Sequence, residues 1–389
     1  MDKLVQAGSL MESFAPRTGL VGARSPSRYL WTDAFAVCNF LGLYLRSDRR
    51  SHLELALSLV EQVHDTLGAY APSDSRSGWL GGQDDRDHRL RPTRFGLRIG
   101  KKMIERGPSE PFDERLEWER DGQYFHYLTR WMHALEQVAR VTAERRYHQW
   151  AVELFLAAHS GFVYRGGPGR CMPRMHWKMS VDLSRPLVES MGQHDPLDGW
   201  ISGLQLRESR FASEDERVAL ADPIDEFLEM CAARSWTTGD PLGIGGLLTD
   251  AWRLDRLLPV AEDVTESRIM GLLRDAAMGL AWQVEGGHLE GPASARLAFR
   301  ELGLSIGLHA LQRMRQTETR NSGPDEPGML EAFEAAARFS PLAERIEAFW
   351  LDPSSQRAPG WNDHLDINSV MLATCLVPDG YLLGGQTDT

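Results

Sequence analysis

Six short stretches of this chain gather histidines, carboxylates and indoles just ahead of apolar segments of helical length. The densest is residues 191–200, Met-Gly-Gln-His-Asp-Pro-Leu-Asp-Gly-Trp, which carries His194, Asp195 and Asp198. Tyr29, Trp31 and Asp33 precede an apolar segment near the N-terminus. Glu117, Trp118, Glu119, Asp121, Tyr124 and His126 precede a second. Trp236 and Asp240 stand before a fourth, His288 and Glu290 before a fifth, and Trp361, Asn362, Asp363, His364 and Asp366 before the last. Carboxyl groups held apart can act as general acid and base, and histidines titrate close enough to neutrality to take and return protons. Indole and phenol rings offer flat faces on which the apolar side of a sugar ring can stack, while carboxylates fork its hydroxyls.

Not every one of these residues needs a chemical role. Aspartate at a helix start accepts a hydrogen bond from a free backbone N–H, and proline fits the first helical position. Asp195-Pro196, Asp222-Pro223 and Asp240-Pro241 all read as such starts. Asp33 and Asp363 are not followed by proline, so capping explains them less well. His194 gains weight because capping does not call for histidine, and His364 belongs to an opening as well. His52, His64 and His148 fall on outer segments and read as surface or structural, and His309 as a hydrogen-bonded core residue. The loop around His176, Trp177 and Lys178 interleaves aromatic and basic groups, which suits an anionic group such as a uronate or phosphate, or else a solvated loop. Asp84-Asp85-Arg86-Asp87 reads as a solvated turn.

The segments that position these groups alternate in character. Residues 34–45 are apolar on nearly every side, as in a helix covered all round. Residues 52–67 instead carry Leu55, Ala56, Leu59, Val60 and Val63 opposite Glu54, Ser58, Glu61 and Asp65, the pattern of a helix with one wet face. The alternation recurs at 122–141 and 147–159, 196–206 and 223–233, 242–258 and 266–282, 292–314 and 329–350. A last buried segment, 364–376, has residues 3–14 as its available outer partner. Gly243, Gly245 and Gly246 lie inside a helical segment and allow close helix packing. β-Signals are sparse.

This arrangement resembles the six-hairpin glycosidase-like superfamily, the (α/α)6 barrels, which include glucoamylase-type hydrolases, unsaturated glucuronyl hydrolases and N-acylglucosamine 2-epimerases. The resemblance lies in the helix alternation and the placement of the openings over nearly the whole chain. It implies an all-α fold, an (α/α)6 toroid of six inner and six outer helices in a single domain, 1–389. It also implies that the openings of the inner helices form the active-site end. The connections at 71–120 and 164–190 are longer than ordinary helix links and rich in Trp, Phe and Leu, so ordered lids are expected there. Residues 315–328 read as an ordinary loop and 384–389 as a flexible tail.

The bulk properties narrow the partners. A net charge of −12 and a pI near 5.5 lack the basic footprint of a nucleic-acid binder. No apolar run is long enough to span a bilayer. Cys38, Cys171, Cys231 and Cys375 are far apart and form no metal or redox motif, and a cytoplasmic location is expected, with no cofactor and no metal. The first reading is a glycoside hydrolase using paired carboxylates among Asp33, Asp195 and Asp363, with Glu119 and Asp121 next. Trp31, Trp118, Tyr124, His126, His176, Trp177, Lys178, Asp240, His288 and Trp361 would bind a small-molecule or oligosaccharide substrate. The alternative is a sugar epimerase or isomerase with His194 and His364 as bases, and a third reading is a non-catalytic binding toroid.

Overall fold

The computed structural model of the chain describes residues 2–166, 172–232, 234–318 and 328–383. Cys171, most of the 315–328 loop and the 384–389 tail lie outside the described residues. Along the chain run α1 (Lys3–Arg17), α2 (Leu30–Ser47), α3 (Arg50–Leu67), α4 (Asp85–Leu90), α5 (Glu114–Glu119), strand β1 (Gln123–Tyr124), α6 (Phe125–Thr142) and α7 (Arg145–Phe162). Short strands β2 (Val163–Arg165), β3 (Pro173–Met175), β4 (Lys178–Met179) and β5 (Pro186–Val188) precede α8 (Asp195–Arg207) and α9 (Glu214–Cys231). Then come α10 (Pro241–Leu257), α11 (Glu266–Glu285), α12 (Ala298–Glu318), α13 (Met329–Ala337), α14 (Leu342–Leu351), α15 (Pro359–Asp363) and α16 (Leu365–Leu376). Among the described residues no helix is long and apolar enough to cross a membrane.

Two compact units divide these elements. One comprises residues 15–44 and 48–232, the other residues 1–14, 45–47 and 233–389. In the first, α6 packs on α7, α8 on α9, and α6 on α8. The expected alternation is visible in burial. Every residue of α2 from Leu30 to Leu43 is buried, whereas α3 buries only a stripe that includes His52, Ala56, Leu59, Val60 and Val63. Likewise α8 is buried on all sides over most of its length, and α9 on one face. In the second unit α10 packs on both α11 and α12, and α16 on α12.

Three boundaries differ from expectation, each for a local reason. Residue 223 does not open a helix. The start lies at Ser213, whose hydroxyl accepts the Glu216 N–H while the Glu216 carboxylate accepts the Ser213 N–H, a reciprocal cap that outweighs the internal Pro223. Asp222 is therefore mid-helix. The segment expected over 329–350 is broken into α13 and α14 by a turn that ends at Pro341. Finally, Pro359 starts a separate short helix, α15, so Asp363 ends that helix instead of opening α16.

Glycines let α10 and α12 approach closely. A Cβ at Gly245 would stand 2.1 Å from the Gly303 carbonyl oxygen, and one at Gly307 would stand 2.4 Å from the Gly245 oxygen. Next to it, Gly246 faces open space. Gly245→Ala should therefore lower stability by about 1–3 kcal/mol through overpacking. Gly246→Ala should raise it by about 0.5–1 kcal/mol through helix propensity. Urea unfolding of the two variants checks the pair; equal effects of the same sign would remove the packing explanation.

Buried polar pairs complete the frame. His148 is fully buried and bonds Glu136 at 2.8 Å, and the Ser209 hydroxyl donates to the same carboxylate at 2.7 Å. His64 accepts the Trp131 indole N–H at 3.1 Å, and burial holds its pKa down at about 3. Both outer-helix histidines are thus structural. In the second unit Glu347 accepts from Lys3, Ser305 and His309, so His309 is hydrogen-bonded as expected.

Candidate functional site

The first turns of α2, α6 and α8 converge in the first unit, and the short β-ladder beside them supplies a further wall. Pairing of β1 with β4 sets Tyr124 opposite Lys178, so the preceding residue, Trp177, is carried to the Tyr124 ring at a centroid distance of 5.2 Å. Trp177 also stacks on His126 at 6.0 Å and meets Trp118 edge-on at 4.7 Å. Across from it Trp31 meets His126 edge-on at 6.1 Å and Tyr127 at 5.4 Å. The hydroxyls of Tyr29 and Tyr127 are hydrogen-bonded to each other at 2.8 Å.

Within this aromatic wall sit His126 and Asp195. The Nδ1 of His126 lies 3.7 Å from Oδ1 of Asp195, and the two side chains are 25% and 7% exposed. That separation is beyond a hydrogen bond. Three buried polar atoms here make no hydrogen bond with the protein: Nδ1 of His126, Oδ2 of Asp195 and Nε1 of Trp31. Most buried polar atoms are satisfied, and these three lie together at the openings of three helices. A Cβ at Gly192 would come within 2.4 Å of Asp195 Oδ2, so the backbone there approaches the carboxyl as only glycine allows.

The electrostatics keep both groups neutral near pH 7. Burial raises the Asp195 pKa to about 8, the charge of Asp198 adds to the rise, and Arg130 opposes it. Burial lowers the His126 pKa to about 4, with Asp198 raising it and Arg130 lowering it. Asp198 is itself held by Arg130, whose Nη2 reaches both carboxylate oxygens at 3.0 and 2.9 Å. An uncharged base beside a protonated carboxylic acid is a pair whose pKa values have been moved in opposite directions, a usual sign of acid–base assignment.

The other expected residues divide. Asp195 was open to two readings, a helix cap or a catalytic carboxyl; the cap position falls on His194, which makes no side-chain cap bond, so capping does not account for the Asp195 carboxyl. Asp33 is not available as an acid or base. Its carboxylate accepts the Tyr29 N–H at 2.9 Å and pairs with buried Arg28 at 3.4 Å. Asp121 is equally committed: it binds Arg98 and accepts the Gly100 N–H, so it holds the loop and not a substrate. Glu119 is exposed at the end of α5. His176 stacks on Tyr164 at 4.3 Å.

Lys178 departs most from expectation. It is neither solvated nor turned toward a ligand. It is fully buried, with Nζ donating to the Glu117 carboxylate at 3.0 Å and to the carbonyls of Glu117 and Arg120 at 2.6 and 2.8 Å. The Asp84 run is not a loose turn either, because Asp84 caps α4 by accepting the Asp87 N–H.

In the second unit the expected residues have local roles. Trp361 is buried and stacked on Trp350 at 5.7 Å, a core contact and not a sugar platform. Asp240 caps α10 and pairs with Arg300 at 3.0 Å. His288 lies against Trp282 at the exposed end of α11, and Asp363 and His364 are exposed, the latter with its ring near Phe299. Among the described residues no group of three or more His, Cys, Asp or Glu side chains is placed to hold a metal ion.

Sequence reasoning missed Arg130 and Tyr127 altogether. A signal existed: His126, Tyr127 and Arg130 crowd polar atoms into the first turns of a helix otherwise buried around most of its length. Asp198, named only as one of the carboxylates of its opening, is the partner of Arg130.

No family model matches the sequence, and a search of curated proteins finds no match. Among solved structures, the cellobiose 2-epimerase of Spirochaeta thermophila DSM 6192 superposes with a TM-score of 0.50 at 12% identity, over 96% of this chain and 97% of that one. A sugar epimerase from a ruminal bacterium does so with a TM-score of 0.50 at 10% identity, over 96% and 98%. The chain thus has an all-α (α/α)6 fold, shared with these two structures.

Proposed function

We propose that this protein is a carbohydrate-active enzyme of the epimerase or isomerase kind, moving a proton on a sugar with His126 and Asp195. The observation that carries this reading is the trio of unpartnered buried atoms, Nδ1 of His126, Oδ2 of Asp195 and Nε1 of Trp31, inside an aromatic wall. The two solved structures named above are described as a cellobiose 2-epimerase and a sugar epimerase, which favours this chemistry over hydrolysis.

The residues divide the work as follows. Neutral His126 takes the proton from the carbon beside the carbonyl of an open-chain sugar. The electron pair of the broken C–H bond moves to the carbonyl oxygen, to which protonated Asp195 gives its proton. The resulting imidazolium and carboxylate attract one another, so the charge separation created by the step is favourable at their short distance. Return of protons from His126 to carbon and from the hydroxyl to Asp195 restores both groups. Since each reaches about 3 Å, flanking one carbon from opposite faces needs about 6 Å between them. At 3.7 Å they work from the same side. This differs from two histidines placed across a ring, and it suits isomerisation or an epimerisation in which the intermediate turns.

The hydrolase reading is weaker because it asks for a second carboxylate free to act. Asp33 is held by Arg28 and its own helix start, and Asp198 by Arg130. Proton NMR of reducing sugars in heavy water tests the proposal. Loss of the C2 proton signal, dependent on enzyme and absent with His126→Asn, is expected. Release of reducing ends from oligosaccharides without any carbon exchange would replace it with hydrolysis.

A further inference from the structure

We infer that the sugar this site takes is anionic, a uronate or a sugar phosphate, and that Lys101 receives its negative group. The inference rests on the sugar-converting reading above and names the substrate class for it. Lys101 Nζ lies 5.7 Å from the centre of the Tyr124 ring, whose neighbours are His126 at 5.4 Å and Trp177 at 5.2 Å. The ammonium and the imidazole of the acid–base pair therefore share one aromatic neighbour, Tyr124, on the same wall.

Other cations around this wall are already engaged. Arg130 is tied to Asp198, Lys178 to Glu117, Arg98 to Asp121, Arg106 to Glu117, and Arg120 to Glu110. Lys101 has a ring beneath it and no carboxylate within ion-pair distance among the described residues, although Glu119, Asp121 and Glu117 act on it from farther away. Partial burial without a contacting counter-charge lowers its pKa, as expected for an ammonium lacking its partner.

The backbone holds this lysine in place from both sides. Ile99 N–H donates to the Gly122 carbonyl at 2.8 Å and Asp121 N–H to the Met103 carbonyl at 2.7 Å, while Gly100 N–H donates to the Asp121 carboxylate at 3.0 Å. Gly100 has a φ of +96°, and a Cβ there would stand 2.2 Å from the Arg28 carbonyl oxygen. The Asp121 carboxylate thus fixes the 99–103 segment, and Lys101 with it, against the strand that carries Tyr124.

The test measures binding of D-glucuronate, D-glucose 6-phosphate, D-glucose and D-mannose by saturation-transfer NMR and titration, with C2 deuterium exchange followed in the same samples. The full-length protein is expected to bind at least one acidic sugar tenfold or more tighter than the neutral ones. Lys101→Met should remove that preference together with its salt dependence; Lys101→Arg should keep most of it. Which acidic sugar is preferred separates carboxylate from phosphate. Exchange on neutral sugars with no acidic preference, or an acidic preference that survives Lys101→Met, overturns this inference while leaving the sugar-converting reading intact. A Lys101-dependent acidic preference with no exchange on any sugar does the reverse. Absence of binding by all four overturns both.

Discussion

Asp195→Asn should stop carbon–proton exchange and at the same time make the protein more stable in alkaline buffer. The first effect follows from removing the acidic proton that stands 3.7 Å from His126. An amide cannot give a proton to a carbonyl oxygen and take it back, and loss of such a group costs about 10²–10⁴-fold in rate. The second follows from linkage. Burial first, and the charge of Asp198 next, raise the folded-state pKa of Asp195 to about 8, against an ordinary value of 3.8. The folded protein therefore holds a proton that the unfolded chain releases as pH rises above 3.8. Stability from this group is fully present below that value and is lost progressively as pH rises to about 8. Asparagine has no such slope. At pH 5 the variant should unfold within a narrow margin of the parent, and at pH 9 it should outlast it by on the order of a few kcal/mol. Urea unfolding at the two pH values, beside the exchange assay, reads both effects. A variant that loses exchange but keeps the parent's pH slope would show that Asp195 is not the raised group.

This coupling of lower stability to a chemically useful state is what a buried, unpartnered acid implies. The same logic separates the legible part of this chain from the illegible part. The helices were legible because they are written in period: continuous apolar residues in α2 and α8, and stripes in α3 and α9. Individual site residues were legible only as types at openings. Asp33, Asp121 and Asp195 look alike in sequence, yet Arg28 takes the first, Arg98 takes the second, and Oδ2 of the third makes no hydrogen bond among the described residues. What distinguishes them is the partner, which comes from another part of the chain. Asp-Pro spacing was misleading at Asp195 for a related reason: the helix begins one residue earlier in its capping geometry, at His194, and frees the carboxyl. Likewise Trp361 and Trp177 were both read as sugar platforms. The ladder that brings β4 to β1 exposes one beside His126, whereas α15 folds the other onto Trp350.

The long connections follow the same rule, and they support the second large effect. Arg76 binds Asp74, Glu105 and Asp182, joining the two connections to each other, and Lys178 plugs the carbonyls and carboxylate at the end of α5. Burying a lysine is costly unless its charge is answered. In Glu117→Gln the Lys178 ammonium keeps its two carbonyls but loses the one carboxylate that contacts it among the described residues, and Arg106 loses the same carboxylate. A fall in stability of about 3–5 kcal/mol is expected. Lys178→Met should cost less, because Arg106 still answers Glu117 at 3.0 Å. The double variant should recover part of the Glu117→Gln loss, since it leaves no buried ammonium without a carboxylate. Urea unfolding of the three proteins measures the coupling, and losses that simply add would deny the pair its charge-balancing role. Because Trp177 precedes Lys178 and Trp118 follows Glu117, the destabilised single variant should also loosen the aromatic wall. It should then bind sugar more weakly, while the double variant regains affinity together with stability.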